Sequence, residues 1–222
     1  MVESGPRGPA ARLWQVGADL VLPVRCLGCG RRADAWCAPC RSEALDLQVR
    51  EHPTGLRTVA AASYDGDVRE ALLGYKERAR RDLRRPLAWL LAAALDVAAT
   101  DLGDPVLVPM PSTVQAVRQR GGDHMVRLVH ALAGDAQVAV TLGARSGADS
   151  AELSATGRRI ARGQAMYARR GAAELVRGRD VLLVDDIVTT GSTLERAHAL
   201  MLAAGARTVR AAVIAHTPKQ VG

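Results

Sequence analysis

A chain of 222 residues with 48% hydrophobic and 24% charged residues can bury one core and carry a small appendage, which excludes a disordered or fibrous protein. The longest apolar run, Leu87 to Leu95, is about half the length of a membrane span, and MVESGPRGPAARL lacks a charged-then-apolar signal pattern, so a cytoplasmic protein is expected. A net charge of +7 favours a polyanionic partner, a phosphorylated metabolite or a nucleic acid, while the absence of Phe and only 3% aromatics leave few rings for stacking on single-stranded bases.

Residues 11 to 22, ARLWQVGADLVL, place apolar side chains along one helical face, and Pro23 ends that element. All four cysteines follow within CLGCGRRADAWCAPC, as the pairs Cys26/Cys29 and Cys37/Cys40. Each C-x-x-C folds as a knuckle that aims two thiolates at one point, and two knuckles complete a tetrahedral Zn²⁺ site. Gly28 and Gly30 suit such turns. A redox pair is the competing reading, but two pairs this close with no strand before them argue against it. A closed Cys₄ site is structural, so no chemistry is assigned to the metal.

The composition changes near residue 50, which divides a helix and zinc module over 1–50 from an α/β domain over 51–222. Leu56 to Ser63 reads as a strand, Tyr64-Asp65-Gly66 as its turn, and Asp67 as the cap of a helix DVREALLGYKERARRDL. The end of that helix is basic. A solvated face accounts for such a run as well as a phosphate contact does; within it Lys76, one turn from Leu72 and Leu73, is placed to lie near the sheet. Pro86 is expected to open a buried helix from Leu87 to Ala99. Val106 to Val108 gives a strand broken by Pro109-Met110-Pro111-Ser112, a form that α/β sheets use for ligand loops. Arg118 and Arg120 beside Gly121 and Gly122 form a cationic turn, either phosphate-directed or simply at the surface, before a helix from His124 to Ala133. Val138 to Leu142 reads as another strand, and the long polar stretch 145–163 as either disordered or functional, a mobile lid being the sharper reading beside an anion site.

The most informative stretch is Val181 to Thr193, VLLVDDIVTTGST. Asp180 to Val184 reads as a central parallel strand covered on both faces. Asp185 and Asp186 follow it; carboxylates accept hydrogen bonds from sugar hydroxyls and favour the positive charge that develops when a bond at a sugar carbon breaks. Thr189, Thr190, Gly191, Ser192 and Thr193 then lead into a helix that stops at Gly205. A glycine that lets amides approach, several hydroxyls and a helix N-terminus make a cradle for a phosphate monoester. The Walker A pattern is absent.

This segment resembles the phosphoribosyl pyrophosphate (PRPP) motif of type I phosphoribosyltransferases. The resemblance implies that Asp185 and Asp186 bind the ribose hydroxyls and that residues 189–193 bind the 5′-phosphate. Together with the two C-x-x-C pairs, Tyr64-Asp65-Gly66, Tyr75-Lys76, Val108-Pro109-Met110-Pro111, Arg118-Gln119-Arg120-Gly121 and Leu153 with Arg158 or Arg159, the order of motifs is similar to that of the competence protein F (ComF) family. What the resemblance implies is a type I phosphoribosyltransferase fold, a mostly parallel sheet flanked by helices with a small N-terminal Cys₄ zinc module. It further implies Pro109 to Ser112 as a pyrophosphate loop, Mg²⁺ bound with PRPP, Lys76 and Arg120 at the leaving-group phosphates, and a link to single-stranded DNA and DNA-uptake proteins during competence. Where family members often read Arg-Gly-Phe-Asn-Gln, this chain has Arg120-Gly121-Gly122-Asp123-His124; Ser150 and Ile160 are further departures. The expected function is transfer of ribose 5-phosphate from PRPP to a nitrogen acceptor, with a PRPP-gated or non-catalytic DNA-handling accessory protein as the alternative.

Overall fold

A computed structural model describes residues 24–32, 34–113, 116–118, 121–144 and 166–218. The expected helix 11–22, Arg120 and the expected lid 145–163 lie outside the described residues. Five strands form one sheet: β1 (Gln48–Glu51), β2 (Arg57–Ser63), β3 (Val106–Pro109), β6 (Asp180–Val188) and β7 (Thr208–His216), in the spatial order β1-β2-β7-β6-β3. Only the edge strand β1 is antiparallel. The pairs β2–β7, β7–β6 and β6–β3 are parallel, so Ser63, Pro109, Val188 and His216 end at one edge. A separate antiparallel pair, β4 (Leu142–Ala144) and β5 (Met166–Ala168), lies over one face.

Both faces of the sheet are covered, as the unbroken apolar run of β6 requires. Leu182 and Val184 point into a cluster with Leu87, Leu90 and Leu91 of α3 (Arg84–Ala98) and Leu128 of α4 (His124–Leu132). Val181 and Leu183 point the other way, against Leu194, Ala197 and Met201 of α6 (Ser192–Ala203). The three α3 leucines are fully buried, worth about 2 kcal/mol each in area removed from water. Two short helices, α1 (Ala38–Glu43) and α5 (Ala172–Val176), and the longer α2 (Gly66–Glu77) complete the described elements.

Several element boundaries differ from the sequence expectation for local reasons. Helix α2 ends at Glu77 and not within the basic run, because Ala79 turns to a φ of +53° and the amides of Arg78 and Arg80 both return to the Gly74 carbonyl. Its N-cap is Asp65 and not Asp67, which sits in the first turn. Helix α3 starts at Arg84, fed by a 3₁₀ turn over Arg81–Leu83. Pro86 is tolerated inside its first turn, where no intrahelical N–H bond is lost. The strand expected at 138–142 is displaced to Leu142–Ala144, where β5 supplies its partner; Val138 makes only an isolated bridge to Leu107. Finally, β6 continues through both acidic residues to Val188, because β7 runs alongside and pairs Asp185 with Val213 and Ile187 with Ala215.

Candidate functional site

The extension of β6 decides where the two carboxylates go. Alternation along a strand sends neighbours to opposite faces. Asp186 therefore lies on the side of Leu182 and Val184, where α2 and α4 meet it: Lys76 Nζ is 2.5 Å and His124 Nε2 2.7 Å from Asp186 Oδ2. Asp185 is half-buried, and its Oδ1 accepts the Asp186 amide at 2.9 Å. Both still border one cavity of about 450 Å³, also lined by Tyr64, Lys76, Thr189 and Thr193.

Their environments drive the two acids apart. Burial first, and the neighbouring Asp186 charge second, push the Asp185 carboxyl up to about 8. Burial alone would raise Asp186 as well, but the His124 hydrogen bond and the Lys76 ammonium outweigh it and hold that carboxyl well below the usual range. The two carboxyls are thus biased in opposite senses, Asp185 toward its protonated, donating form and Asp186 toward its charged, accepting form.

The loop after β6 closes the far side of the cavity. Gly191 has a φ of +89° and stands as the N-cap of α6 with no side chain capping the first-turn amides. Thr190 Oγ1 lies 3.3 Å from Ser192 Oγ, and both residues are exposed, whereas Gly191 is buried. Uncapped amides, hydroxyls and the positive end of a helix dipole converge here, which suits an anion. The reason that only glycine fits is visible: a Cβ at 191 would fall 2.7 Å from His52 Nδ1 and closer still to Cε1. His52, on the turn after β1, is buried and lies 3.1 Å from Thr58 Oγ1 through Nε2.

The sequence-derived candidates Lys76, Asp185, Asp186, Thr189 and Thr193 are brought together around this cavity. Ser112 stands beside it: its Oγ is 3.4 Å from His124 Nδ1 and its amide donates to Asp123 Oδ2 at 3.2 Å. Thr190, Gly191 and Ser192 belong to the same loop without lining the cavity, and Arg120 lies outside the described residues. Sequence reasoning passed over Asp123, His124 and His52. Asp123 is the N-cap of α4, accepting from the amides of Met125 and Val126 at 2.9 and 3.3 Å. An acidic cap just before the helix was the available signal, since it fixes His124 at the first helical position. Nothing local marks His52, whose neighbour Gly191 is remote in sequence.

The four cysteines form a second centre. Their sulfurs all lie within 4.8 Å of one another, with Cys26–Cys37 at 3.5 Å and Cys29–Cys37 at 3.8 Å. Tetrahedral sulfurs at about 2.3 Å from a zinc ion would be spaced by roughly this amount. The Cys37 amide donates to Cys26 Sγ at 3.3 Å, and a Cβ on Gly28 would lie 2.9 Å from Cys40 Sγ, so backbone wraps the cluster closely. Burial opposes the Cys26 thiolate, yet amide hydrogen bonds bring that thiol down to about 6; the hydrogen bond to Cys37 pushes Cys40 up to about 12. The donor set and spacing fit a soft, tetrahedral cation, and the cluster can hold zinc. Cys26 and Trp36 pack into the same core cluster as α3.

Among the described residues no helix is long and apolar enough to cross a membrane. Curated proteins yield no match to this chain. The phosphoribosyl transferase domain model matches residues 124–222. Similar solved structures include an allosteric regulatory enzyme of purine biosynthesis, at 20% identity over 59% of this chain and 25% of that one, with a TM-score of 0.38. A hypoxanthine phosphoribosyltransferase from Staphylococcus aureus aligns at 15% identity over 62% of this chain and 66% of that one, TM-score 0.38. The Trypanosoma cruzi hypoxanthine phosphoribosyl transferase aligns at 16% identity over 59% of this chain and 62% of that one, TM-score 0.35. This chain spans no more than 66% of the length of any of the three. The mostly parallel sheet with its flanking helices is thus a phosphoribosyltransferase-like fold, and the chain carries a match to the phosphoribosyl transferase domain from His124 onward.

Proposed function

We propose that the protein binds PRPP and acts as a phosphoribosyltransferase-like protein of the ComF type, moving ribose 5-phosphate to a nitrogen acceptor. The observation that carries this is the joint placement of two adjacent carboxyls and the hydroxyl loop that opens α6 around one cavity. In this reading Asp185 and Asp186 hold the ribose 2- and 3-hydroxyls, one donating and one accepting. Residues Thr189 to Thr193 hold the 5′-phosphate through backbone amides and hydroxyls. The acceptor nitrogen forms a bond to C1 with its lone pair, and the C1–O bond to pyrophosphate breaks with its electron pair leaving on the pyrophosphate. The nitrogen gives up its proton to solvent. The Asp186 charge steadies the oxocarbenium character of C1 during this exchange, while Lys76 and Arg120 meet the leaving phosphates. Ser112 and His124 set the orientation of that side of the cavity.

Mg²⁺, were it bound with PRPP, would supply neutralisation of the leaving group's charge. A hard cation of this kind takes one or two carboxylates beside the substrate's own oxygens; Asp185, which unlike Asp186 is not engaged by Lys76 or His124, would hold it after giving up its proton. The Cys₄ cluster holds Zn²⁺ in a module over 1–50, with the phosphoribosyltransferase-like domain over 51–222. Calorimetric titration of PRPP into the full chain tests the reading: Asp185→Asn and Asp186→Asn should weaken binding at least tenfold, and binding that ignores both substitutions would sink it. Turnover is then sought with a panel of nitrogenous bases.

A second reading is favoured by the net charge of +7 beside the zinc module. Here the fold serves as a PRPP-gated or non-catalytic scaffold that handles single-stranded DNA with DNA-uptake proteins in the cytoplasm. Its affinity for an oligonucleotide should fall steeply with salt through counterion release, and no measurable affinity near physiological salt would remove it.

A further inference from the structure

The basic run after α2 splits into two groups once its partners are known. Arg78 pairs with Glu70 at 3.0 Å and Arg80 with Asp82 at 2.6 Å, so these two are neutralised on the surface. Arg81 and Arg84 have no carboxylate within ion-pair distance among the described residues, and neither has Arg127 of α4, which donates to the Gly121 carbonyl. These three arginines line a cavity of about 300 Å³ that also borders Tyr75, Lys76, Ala79 and His124. One carboxylate, Glu77, opposes them in the lining.

The start of α3 makes the arrangement costlier. That helix runs 15 residues, its first turn contains Arg84 and Arg85 and no acidic residue, and no side chain caps it. Cations placed at the positive end of a helix dipole are locally unfavourable, as anions there are favourable. Like charges crowded around a concave wall add to that cost, and a bound dianion reverses both effects at once. The volume is enough for one small molecule. Tyr75 and Ala79 give the wall an apolar side, so the occupant needs an organic body as well as an anionic head.

The geometry points to a second anion site here, built by Arg81, Arg84 and Arg127 against Tyr75, that takes a small organic phosphate separate from the sugar phosphate held by the Thr189–Thr193 loop. Forked guanidiniums suit a phosphate that offers three acceptor oxygens better than a single ammonium would. The site adjoins the first one, because Lys76 lines both cavities. The assignment of two anion sites rests on the PRPP reading only for what occupies the first.

The test titrates phenyl phosphate calorimetrically into the full chain with ribose 5-phosphate saturating the loop. Wild type should take up one equivalent, and Arg81→Ala/Arg84→Ala should weaken it at least tenfold. Both arginines are exposed, and circular dichroism verifies that the double variant folds. The inference is overturned if wild type takes up no phenyl phosphate. It is also overturned if the arginine variant loses PRPP affinity by the same factor, since the cavity would then seat the pyrophosphate end of that ligand. Loss of octathymidylate binding alone, with phenyl phosphate unaffected, would assign the arginines to a DNA strand and overturn it too. Should PRPP and ribose 5-phosphate give no heat with wild type, the PRPP reading fails by itself; phenyl phosphate alone, titrated into both proteins, still decides the second site.

Discussion

Replacing Gly191 by alanine strikes the Thr189–Thr193 loop through two separable effects. The left-handed backbone at φ +89° costs a residue with a Cβ about 1–2 kcal/mol. The new methyl would also sit 2.7 Å from His52 Nδ1, and because His52 is buried and held by Thr58, relieving that overlap costs about 1–3 kcal/mol more. A loss of roughly 2–5 kcal/mol follows from the two together. Urea denaturation of Gly191→Ala, His52→Ala and the double variant separates them. Removing the imidazole removes the overlap but leaves the backbone strain, so the double variant should be less destabilised than the sum of the singles by about 1–3 kcal/mol. If the two singles simply add, the packing of His52 on the loop is not what requires glycine. Ribose 5-phosphate affinity should fall in Gly191→Ala and recover only in part in the double variant.

Lys76→Met strands the Asp186 carboxylate with His124 as its remaining partner; the ammonium is 20% exposed and the carboxylate 9%. The expected loss is about 2–4 kcal/mol, and adding Asp186→Asn should restore part of it in thermal or denaturant unfolding. The acid pair also sets a pH dependence. Asp185, raised to about 8, keeps a proton when folded that the unfolded chain has lost, so its contribution is fully present below the ordinary carboxylate range and declines as pH rises toward about 8. Asp186 acts in the opposite sense, its contribution appearing above the ordinary range and fading only in strong acid. Stability from about pH 4 to 8 should therefore slope downward in wild type and flatten in Asp185→Asn, and an unchanged slope counts against the raised carboxyl. For the metal centre, purified protein should contain one zinc per chain by elemental analysis, lost in Cys37→Ser, and strong chelators should lower the unfolding temperature.

The central site was legible because it is local: strand, acids, hydroxyl loop and helix occupy one stretch, Val181 to Thr193, and each carries its own periodic or chemical signal. The cysteine cluster was legible for the same reason. What escaped was whatever depends on a neighbouring strand or helix. That β6 runs on to Val188 is set by β7, so Asp185 and Asp186 diverge across the sheet where a turn would have let them converge. His124 reads in isolation as a departure at the start of a helix, yet α4 aims it at Asp186, and the strand displaced to Leu142–Ala144 follows a partner, β5, which has only three residues. Lys76 was placed near the sheet from its spacing to Leu72 and Leu73; its actual bond to Asp186 is a tertiary fact.

The order of strands in the sheet also has a consequence for how the chain is made. β2, near the start of the chain, has its parallel neighbour in β7, near the end, with Arg57 opposite Arg210 and Ser63 opposite His216. During synthesis, β2 leaves the ribosome after its neighbour β1 and waits until β7 has been made before its other edge is covered. At about 5–20 residues per second that wait is several seconds or more, during which an apolar strand, VAAA, is open to mispairing. The cysteine cluster needs no such delay, since its ligands are all close in sequence. Nascent chains arrested before Thr208 should hold a protected metal centre while Val59 to Ala62 remain accessible to protease, and release of the last strand should close the sheet and the cavity in a single late step.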